Sequence, residues 1–451
     1  MINQLVGPHR LGPLILLFDV IAIFVDFNLA TQLRVGDFLT INTWGLYGVA
    51  GLIVLGLYLA DTYEPEEPDV WLKTASRVII SMLLTGILTA TIVYLVGLWG
   101  SGPLYGRSIL IGGFGLVTIS AVAVRGVAAR WARAQSERTR WLIIANGEVA
   151  DTYEKNLSRL FPSSEIAEYA PESLNAESLH KSTRFDRLRQ RPWTGILIGN
   201  DTEFSDNTVR MFMDMRLDGT PIYSPPRFYE DFLYKIPPSE LEDDWFVFSP
   251  GFNLIHKRIN LRIKRVIDIV GSLLLLLVCS PIMLLVAIAI KLESSGPIIY
   301  SQTRSGLNGE EFEVHKFRSM CEDAEKDGAQ WAQNNDPRVT RVGSILRKTR
   351  LDELPQLWNV LKGEMSLIGP RPERPHFDNK LSQQIPYYDL RYLVKPGISG
   401  WAQVMHRYGA SEDDAYKKLE YDMYYIKNYS LLLDLAIVMK TIRIVLFGRG
   451  R

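Results

Sequence analysis

The sequence predicts a membrane α-helical bundle, then a Rossmann-like α/β domain, then a mixed α/β domain with a re-entrant membrane helix. Three observations lead there. Charged residues are sparse at the front, 15 within residues 1–130 against 85 in the remaining 321. Four apolar stretches fill that front third, and a fifth, interrupted by Ser280-Pro281, begins at Ile269. Between them, short apolar runs bounded by turn residues alternate with helical patterns, which is how buried parallel strands read. A chain of 451 residues holds about three domains. The composition places them at 1–130, 131–250 and 251–451.

The four front stretches are Leu11 to Leu29, Trp44 to Leu59, Val78 to Trp99 and Ser108 to Val124. Each approaches the ~20 residues that cross a bilayer as helix, the second being the shortest. The first is too long for a signal-peptide core and no A-x-A site follows it, so it is read as retained. Arg125, Arg130, Arg133, Arg138 and Arg140 follow the fourth stretch, and Lys73 and Arg77 separate the second from the third. Positive flanks mark the cytoplasmic side, so both ends of the bundle should face the cytoplasm. Asp19 and Asp26 are seven apart and share a helical face, which should turn to the bundle or a helix end rather than relay protons.

In 131–250, Trp141 to Asn146, Gly195 to Gly199 and Pro221 to Ser224 read as parallel strands, with Thr208 to Leu217 helical. A dinucleotide-binding version needs G-x-G-x-x-G after the first strand so that backbone can approach a pyrophosphate. Asn146-Gly147-Glu148-Val149-Ala150 stands there instead. The expected role is structural or in assembly.

The chain is neutral overall, with 50 basic and 50 acidic residues, which excludes a strongly basic nucleic-acid binder. The balance is uneven, at −1, −6 and +7 for the three parts. Cys279 and Cys321 form no metal-ligand spacing and no disulfide framework. The six histidines include no H-E-x-x-H, so a metal, if held, is held by oxygen. Lys257, Arg258, Arg262, Lys264 and Arg265 precede the fifth apolar segment and suit anionic lipid headgroups. Pro281 removes a backbone donor and clashes with the preceding turn, while the Ser280 hydroxyl can bond a freed carbonyl. Together with Lys291 at the far end and an even number of preceding crossings, this predicts a re-entrant helix over 266–292 that enters and leaves on the cytoplasmic side.

The stretch 301–409 is dense in Arg, Lys, Gly and Pro, and its centre runs from Leu346 to Gly363. Pro355 suits a helix's first turn and Gly363 its C-terminal cap, predicting a short helix over 355–361. Asp352 and Glu353 then stand just ahead of its N-terminus, flanked by Arg347, Lys348 and Arg350. Such a pair is either an ion-paired helix start or a reactive site, in which one carboxylate attacks phosphorus and the other holds Mg2+. Phosphoryl chemistry needs positive charge. Lys316 and Arg318, Arg338 and Arg341, and Arg371 supply it.

Six motifs in order carry a resemblance. They are Lys264-Arg-Val-Ile-Asp-Ile with the Ser280-Pro281 break, Lys316-Phe-Arg-Ser-Met, Asp336-Pro-Arg-Val-Thr-Arg, Leu351-Asp-Glu-Leu-Pro-Gln-Leu-Trp-Asn-Val, Ser366-Leu-Ile-Gly-Pro-Arg-Pro and Lys395-Pro-Gly-Ile-Ser-Gly-Trp-Ala-Gln-Val. From Lys257 to the C-terminus the chain resembles the bacterial sugar transferases, the monotopic phosphoglycosyl transferases. The front half resembles, by architecture, the long members that begin exopolysaccharide, capsule or O-antigen synthesis. The resemblance implies a catalytic domain over 251–451 on the cytoplasmic face of a bacterial inner membrane, working as a homodimer among membrane lipids. It implies that Asp352 attacks the sugar-bearing phosphate of a UDP-sugar, that UMP leaves, and that undecaprenyl phosphate then displaces the aspartyl intermediate. Glu353 would hold Mg2+, alone or with Asp352. Lys316, Arg318, Arg347 and Arg371 would bind phosphates, and Asp422 matches a further acidic site position. Glucose or galactose is the sugar expected of the long form.

The last segment, Leu431 to Phe447, holds three charges in seventeen residues and suits a helix lying in the membrane interface. Two other classes compete: an assembly protein with vestigial motifs, opposed by intact Asp352, Glu353, Lys316 and Arg371, and a polytopic transporter, opposed by the single broken segment. The re-entrant reading has a direct check in intact cells. Cysteines introduced at Ser301 and at Lys257 should both resist an impermeant external thiol reagent. Labelling of the Ser301 position alone would establish a fifth crossing instead.

Overall fold

The structure is a computed structural model and describes residues 11–39, 44–63, 71–137, 139–169, 193–200, 204–252, 258–321, 324, 336–406 and 411–447. Two compact units make up the chain, Met1–Tyr223 and Ser224–Arg451.

The first unit opens with α1 (Leu11–Val35), α2 (Trp44–Leu59), α3 (Trp71–Leu95) and α4 (Arg107–Ser136). Three of these are long and apolar enough to cross a membrane, whereas α2 has 16 residues. Their inner faces pack Ile23, Phe27, Ile53, Leu57, Val78 and Val117 into one core. The outer faces stay apolar, with Leu17, Ile21, Leu83, Ile87 and Ile119 exposed. Helices apolar all round suit a lipid solvent and not water. Arg138, one of the flanking cations, lies outside the described residues.

Asp19 and Asp26 are both buried. Asp19 takes two bonds from Arg125, at 3.1 Å from Nη1 and 2.8 Å from Nη2. The same guanidinium donates to the Thr62 carbonyl, the Thr62 hydroxyl and the Ala121 carbonyl. One arginine thus ties α1, the chain after α2, and α4. Every donor is bonded, the condition under which a buried ion pair is tolerable.

After α4 come β1 (Arg140–Ile144), α5 (Gly147–Leu160), β2 (Glu165–Tyr169), β3 (Gly195–Ile198), α6 (Asp206–Leu217) and β4 (Ile222–Tyr223). The strands form one parallel sheet in the order β2-β1-β3-β4, with the order reversing beside β1. β1 is almost wholly buried, as its unbroken apolar run requires.

The second unit begins at Ser224, ahead of the boundary placed at 250 from composition. Residues 224–252 belong with it because their bonds go to its helices: the Ile236 amide donates to the Glu420 carbonyl, Lys427 pairs with Glu230 at 2.6 Å, and Trp401 Nε1 donates to the Tyr234 carbonyl. Then follow α7 (Arg258–Glu293), the antiparallel pair β5 (Ile299–Ser305) and β6 (Glu311–Phe317), α8 (Arg341–Thr349), a 3₁₀ turn over Leu351–Glu353, and α9 (Gln356–Lys362). β7 (Ser366–Ile368) pairs in parallel with β8 (Gly397–Ser399). A Cβ on Gly397 would stand 2.1 Å from the Gly369 amide nitrogen, so no side chain fits there. Between those strands lie α10 (Pro375–Gln384) and a 3₁₀ run over Tyr388–Leu393. The unit closes with α11 (Trp401–Met405), α12 (Glu412–Asn428) and α13 (Leu431–Phe447).

α7 is helical through its interior Pro281, with the Ser280 hydroxyl bonded to the Leu277 carbonyl at 2.9 Å. Its basic flank is not wholly available to lipid headgroups. Lys264 pairs with Asp434 and Arg265 donates to the Val360 and Leu361 carbonyls, leaving Arg262 exposed. Lys257 and the Arg258 side chain lie outside the described residues. Along α13, Leu432, Leu435, Val438, Ile442 and Val445 are exposed while Asp434 and Ile437 face inward.

Removing one partner of a desolvated pair strands the other. Asp19→Ala should therefore cost about 3–5 kcal/mol and lower the thermal midpoint in detergent, whereas Asp19→Leu combined with Arg125→Met should recover most of the loss.

Candidate active site

The local sequence builds the turn that carries the two carboxylates. α8 ends because Arg350 enters the left-handed region at φ 58°, and the 3₁₀ turn Leu351–Glu353 follows at once. Pro355 precedes α9, and Gly363, at φ 94°, closes it with its amide on the Asn359 and Val360 carbonyls. Asp352 and Glu353 sit just ahead of α9, 8% and 7% exposed. Two adjacent carboxylates this far from water need compensation.

The compensation comes from three elements. Arg371 Nη2 donates to Glu353 Oε1 at 2.7 Å, Arg350 Nη1 approaches the same oxygen at 3.5 Å, and Lys316 Nζ lies 4.0 Å from it. Burial alone would raise the Glu353 carboxyl, but Arg371, Lys316 and Arg350 outweigh it and hold the group at about 2. Asp352 is pushed the other way, first by burial and then by the charge of Glu353, against the pull of Lys316, Arg371 and Arg350. Burial, helped by Arg371, brings the Lys316 ammonium down to about 8. The pair is thus divided. Glu353 spends its charge on cations, while Asp352 keeps a more basic carboxylate whose Oδ1 is buried without a hydrogen-bond partner. The more basic oxygen is the better nucleophile.

Asn359 sets the distance between Lys316 and the pair. Its fully buried carboxamide accepts from the His315 amide at 3.1 Å and donates to the Glu313 carbonyl at 2.6 Å, clamping α9 to β6. Arg371 is placed by its backbone. Four successive carbonyls of its loop each accept from a different residue: Pro370 from the Gly397 amide, Arg371 from Arg391 Nη2, Pro372 from Arg304 Nη1, and Glu373 from the Ser305 amide. Pro370 and Pro372 have no N–H and cannot join a ladder as donors, so the loop is held from outside.

Arg318 and Arg347 are anchored to other groups. The Arg318 guanidinium, buried, bonds the Ser294 and Ser295 carbonyls and the Ser294 hydroxyl, fastening the chain that leaves α7. Arg347 Nε donates to the Ser319 hydroxyl. Arg350 stands where Arg347 was expected, because the left-handed turn swings it back over Glu353. Asp422 lies one layer out. Its Oδ2 accepts from Arg391 Nη2 at 3.2 Å, and that nitrogen also holds the Arg371 carbonyl. Arg391 Nη1 donates to the Tyr388 hydroxyl, which donates to Asp378. Burial raises the Asp422 carboxyl to about 6 despite Arg391. Sequence reasoning did not single out Asn359, Arg304, Arg391 or Asp378, because their partners stand on other elements: Asn359 meets β6 44 and 46 positions away, Arg304 the Pro372 carbonyl 68 away, Arg391 the Asp422 carboxylate 31 away, and Asp378 the Tyr388 hydroxyl 10 away; the one local clue was the Trp-Asn-Val run after the pair.

The residues fit a magnesium ion in part. Mg2+ takes one or two carboxylates and completes its shell with phosphates and water. The unpartnered Asp352 Oδ1 is such a donor, whereas Glu353 Oε1 already faces three cations. Among the described residues no three His, Cys, Asp or Glu side chains form a metal cluster.

Comparison with known proteins places this unit. The bacterial sugar transferase family model matches residues 259–448. A UDP-N-acetylgalactosamine-undecaprenyl-phosphate N-acetylgalactosaminephosphotransferase of Aeromonas hydrophila is 55% identical over 188 residues, 42% of this chain and 44% of that protein. A UDP-glucose:undecaprenyl-phosphate glucose-1-phosphate transferase of Caulobacter vibrioides is 47% identical over 196 residues, 43% of this chain and 73% of that protein. One of the same description from Escherichia coli is 42% identical over 214 residues, 47% of this chain and 46% of that protein. The matched part spans less than half the length of the Aeromonas and Escherichia relatives.

The raised Asp422 carboxyl has a consequence for stability. A folded pKa of about 6 against the ordinary 3.8 means that the folded state holds the proton more tightly, so this group's contribution is most favourable below pH 4 and declines as the pH rises to about 6. Asp422→Asn removes that decline. Its thermal midpoint relative to wild type should therefore improve between pH 4 and pH 6.5, read on the full chain in detergent.

Proposed function

Because the chain belongs to the bacterial sugar transferase family, we propose that it transfers a sugar-1-phosphate from a UDP-sugar to undecaprenyl phosphate through a phosphosugar carried on Asp352, releasing UMP. The observation that carries the reading is the division of the carboxylate pair: Glu353 neutralised by Arg371, Arg350 and Lys316, Asp352 left with a basic, unpartnered oxygen. The reaction is the first membrane step of exopolysaccharide, capsule or O-antigen synthesis at the cytoplasmic face of a bacterial inner membrane. The relatives' names divide between glucose and N-acetylgalactosamine, which supports a UDP-linked hexose or N-acetylhexosamine as donor.

Asp352 forms a bond to the sugar-bearing phosphorus as the bond to UMP breaks, its electron pair leaving with UMP. Lys316 and Arg371 hold the diphosphate and offset its repulsion from the carboxylate. A phosphate oxygen of the lipid then bonds to the same phosphorus as the aspartyl oxygen departs. A Mg2+ ion, if held by Asp352 alone or together with Glu353, would supply charge neutralisation for the diphosphate.

Two features support chemistry at the membrane surface. In a straight helix Arg265 and Ile290 would stand about 37 Å apart. Yet Arg265 bonds the end of α9, while Ile290 packs in one cluster with Phe317 of β6 and Leu346, and Asn359 clamps α9 to β6. That supports a bend at Ser280-Pro281 and a re-entrant path, with Leu274, Leu277, Val278, Leu284 and Leu285 exposed between the docked ends. The apolar stripe of α13 supports a helix lying in the interface. The α1–α4 bundle and the sheet, read as a degenerate Rossmann-like domain, hold none of the phosphate-handling groups, and their role is stability and self-association as a homodimer.

Incubation with labelled UDP-sugar and no lipid acceptor tests the reading. Label should remain on denatured wild type and be absent from Asp352→Asn, which should keep UDP-sugar binding and lose at least ~10³-fold in turnover. Full turnover with acceptor but no trapped label would leave the carboxylates as metal ligands only and the transfer direct.

A further inference from the structure

We propose that Gln356 is a catalytic residue, its carboxamide N–H donating to a phosphoryl oxygen of the group that Asp352 attacks. The inference rests on the function proposed above and adds a participant to it.

Gln356 is 2% exposed, yet its Nε2 has no hydrogen-bond partner. A primary amide carries two donors, and almost all buried donors in folded proteins are paired. Four residues earlier, in the 3₁₀ turn that leads into α9, Asp352 Oδ1 is a buried acceptor in the same condition. Neither side chain has a partner at these atoms, so a desolvated donor and a desolvated acceptor stand four positions apart in the chain. A group with an electrophilic centre and oxygen acceptors satisfies both at once, and a phosphoryl group has that chemistry.

The surroundings agree. Asn359 is three positions further on, and its carboxamide bonds β6 at Glu313 and His315. Gln356, three positions before Asn359, lies on the same face of α9 and is buried, while Trp358 is 54% exposed. Lys316, Arg371 and Arg350 bring three positive charges to a pair in which Glu353 is already matched. The cations attract an anion, and a neutral amide at fixed angle adds direction.

In the first step the Asp352 oxygen bonds to phosphorus, the phosphorus–oxygen bond to UMP breaks, and UMP keeps the electron pair. Charge on the non-bridging oxygens shifts during the passage, and the Gln356 N–H stabilises it without giving up its proton. The second step reverses the geometry, the lipid phosphate entering as the aspartyl oxygen leaves, and the same donor serves.

The test uses the full chain in detergent with UDP-sugar and undecaprenyl phosphate, comparing wild type, Gln356→Met and Gln356→Glu. Methionine keeps the length and removes the donor, whereas glutamate keeps the shape and replaces the donor by an acceptor. Loss of one such donor should lower kcat about 10²-fold in Gln356→Met and further in Gln356→Glu, with KM for the UDP-sugar within about threefold of wild type. Thermal midpoints identify a variant that does not fold, and the other variant then carries the result. Label trapped on wild type together with kcat within about threefold of wild type in either folded variant would overturn the role of Gln356 and leave the aspartyl route standing. Absence of label on wild type during full turnover would overturn the aspartyl route itself, and this proposal with it.

Discussion

Two buried carboxylates on consecutive residues are the constraint around which the second unit is organised. Asp352 and Glu353 repel each other and are both removed from water, so the turn that holds them depends on cations brought from elsewhere. Arg350 is local, Lys316 arrives on a strand, and Arg371 arrives on a loop. Three unequal sources produce an unequal result. All three converge on one oxygen of Glu353, so two neighbouring residues of the same chemistry stand in different electrostatic surroundings.

Delivering those cations explains much of the remaining architecture. β6 must lie against α9, and the fully buried Asn359 makes that contact with both ends of its carboxamide. The Arg371 loop contains two prolines and forms little structure of its own, so Gly397, Arg391, Arg304 and Ser305 pin its carbonyls one by one. The close approach at Gly369 and Gly397 belongs to the same arrangement. The apolar helix α7 shares these fasteners. Asp268 accepts from the Ser366 hydroxyl and the Leu367 amide, and Arg265 bonds the carbonyl end of α9.

The first unit follows different rules. In a bundle whose exterior is as apolar as its interior, hydrophobic sorting discriminates weakly between helices, and polar contacts acquire more weight. Arg125 bonds Asp19, Thr62 and Ala121, and so joins segments that apolar packing alone would specify less sharply. The parallel sheet has the buried central strands of its class and lacks the glycine turn through which that class approaches a pyrophosphate.

Period, composition and chain-local turn chemistry carried the sequence reading a long way. Hydropathy located the apolar helices, the Pro355 and Gly363 signals placed α9 within a residue, and the Asp352-Glu353 pair with Lys316 and Arg371 was visible as charge among turns. These features depend on neighbours within a few residues, so one sequence displays them. Arg318 and Arg347 looked equally suited to the site, but the fold turns the first to Ser294 and Ser295 and the second to Ser319. Arg350 takes the nearer place through a single left-handed residue. Arg391, Arg304, Asn359 and the unpaired Gln356 gain their meaning from partners on other elements, as does the assignment of 224–252 to the second unit. Which residues are charged, apolar or turn-forming was determined by the sequence. Which carbonyl, carboxylate or hydroxyl each charge meets was decided by the tertiary structure, because a long side chain bonds whatever the packed backbone brings within reach.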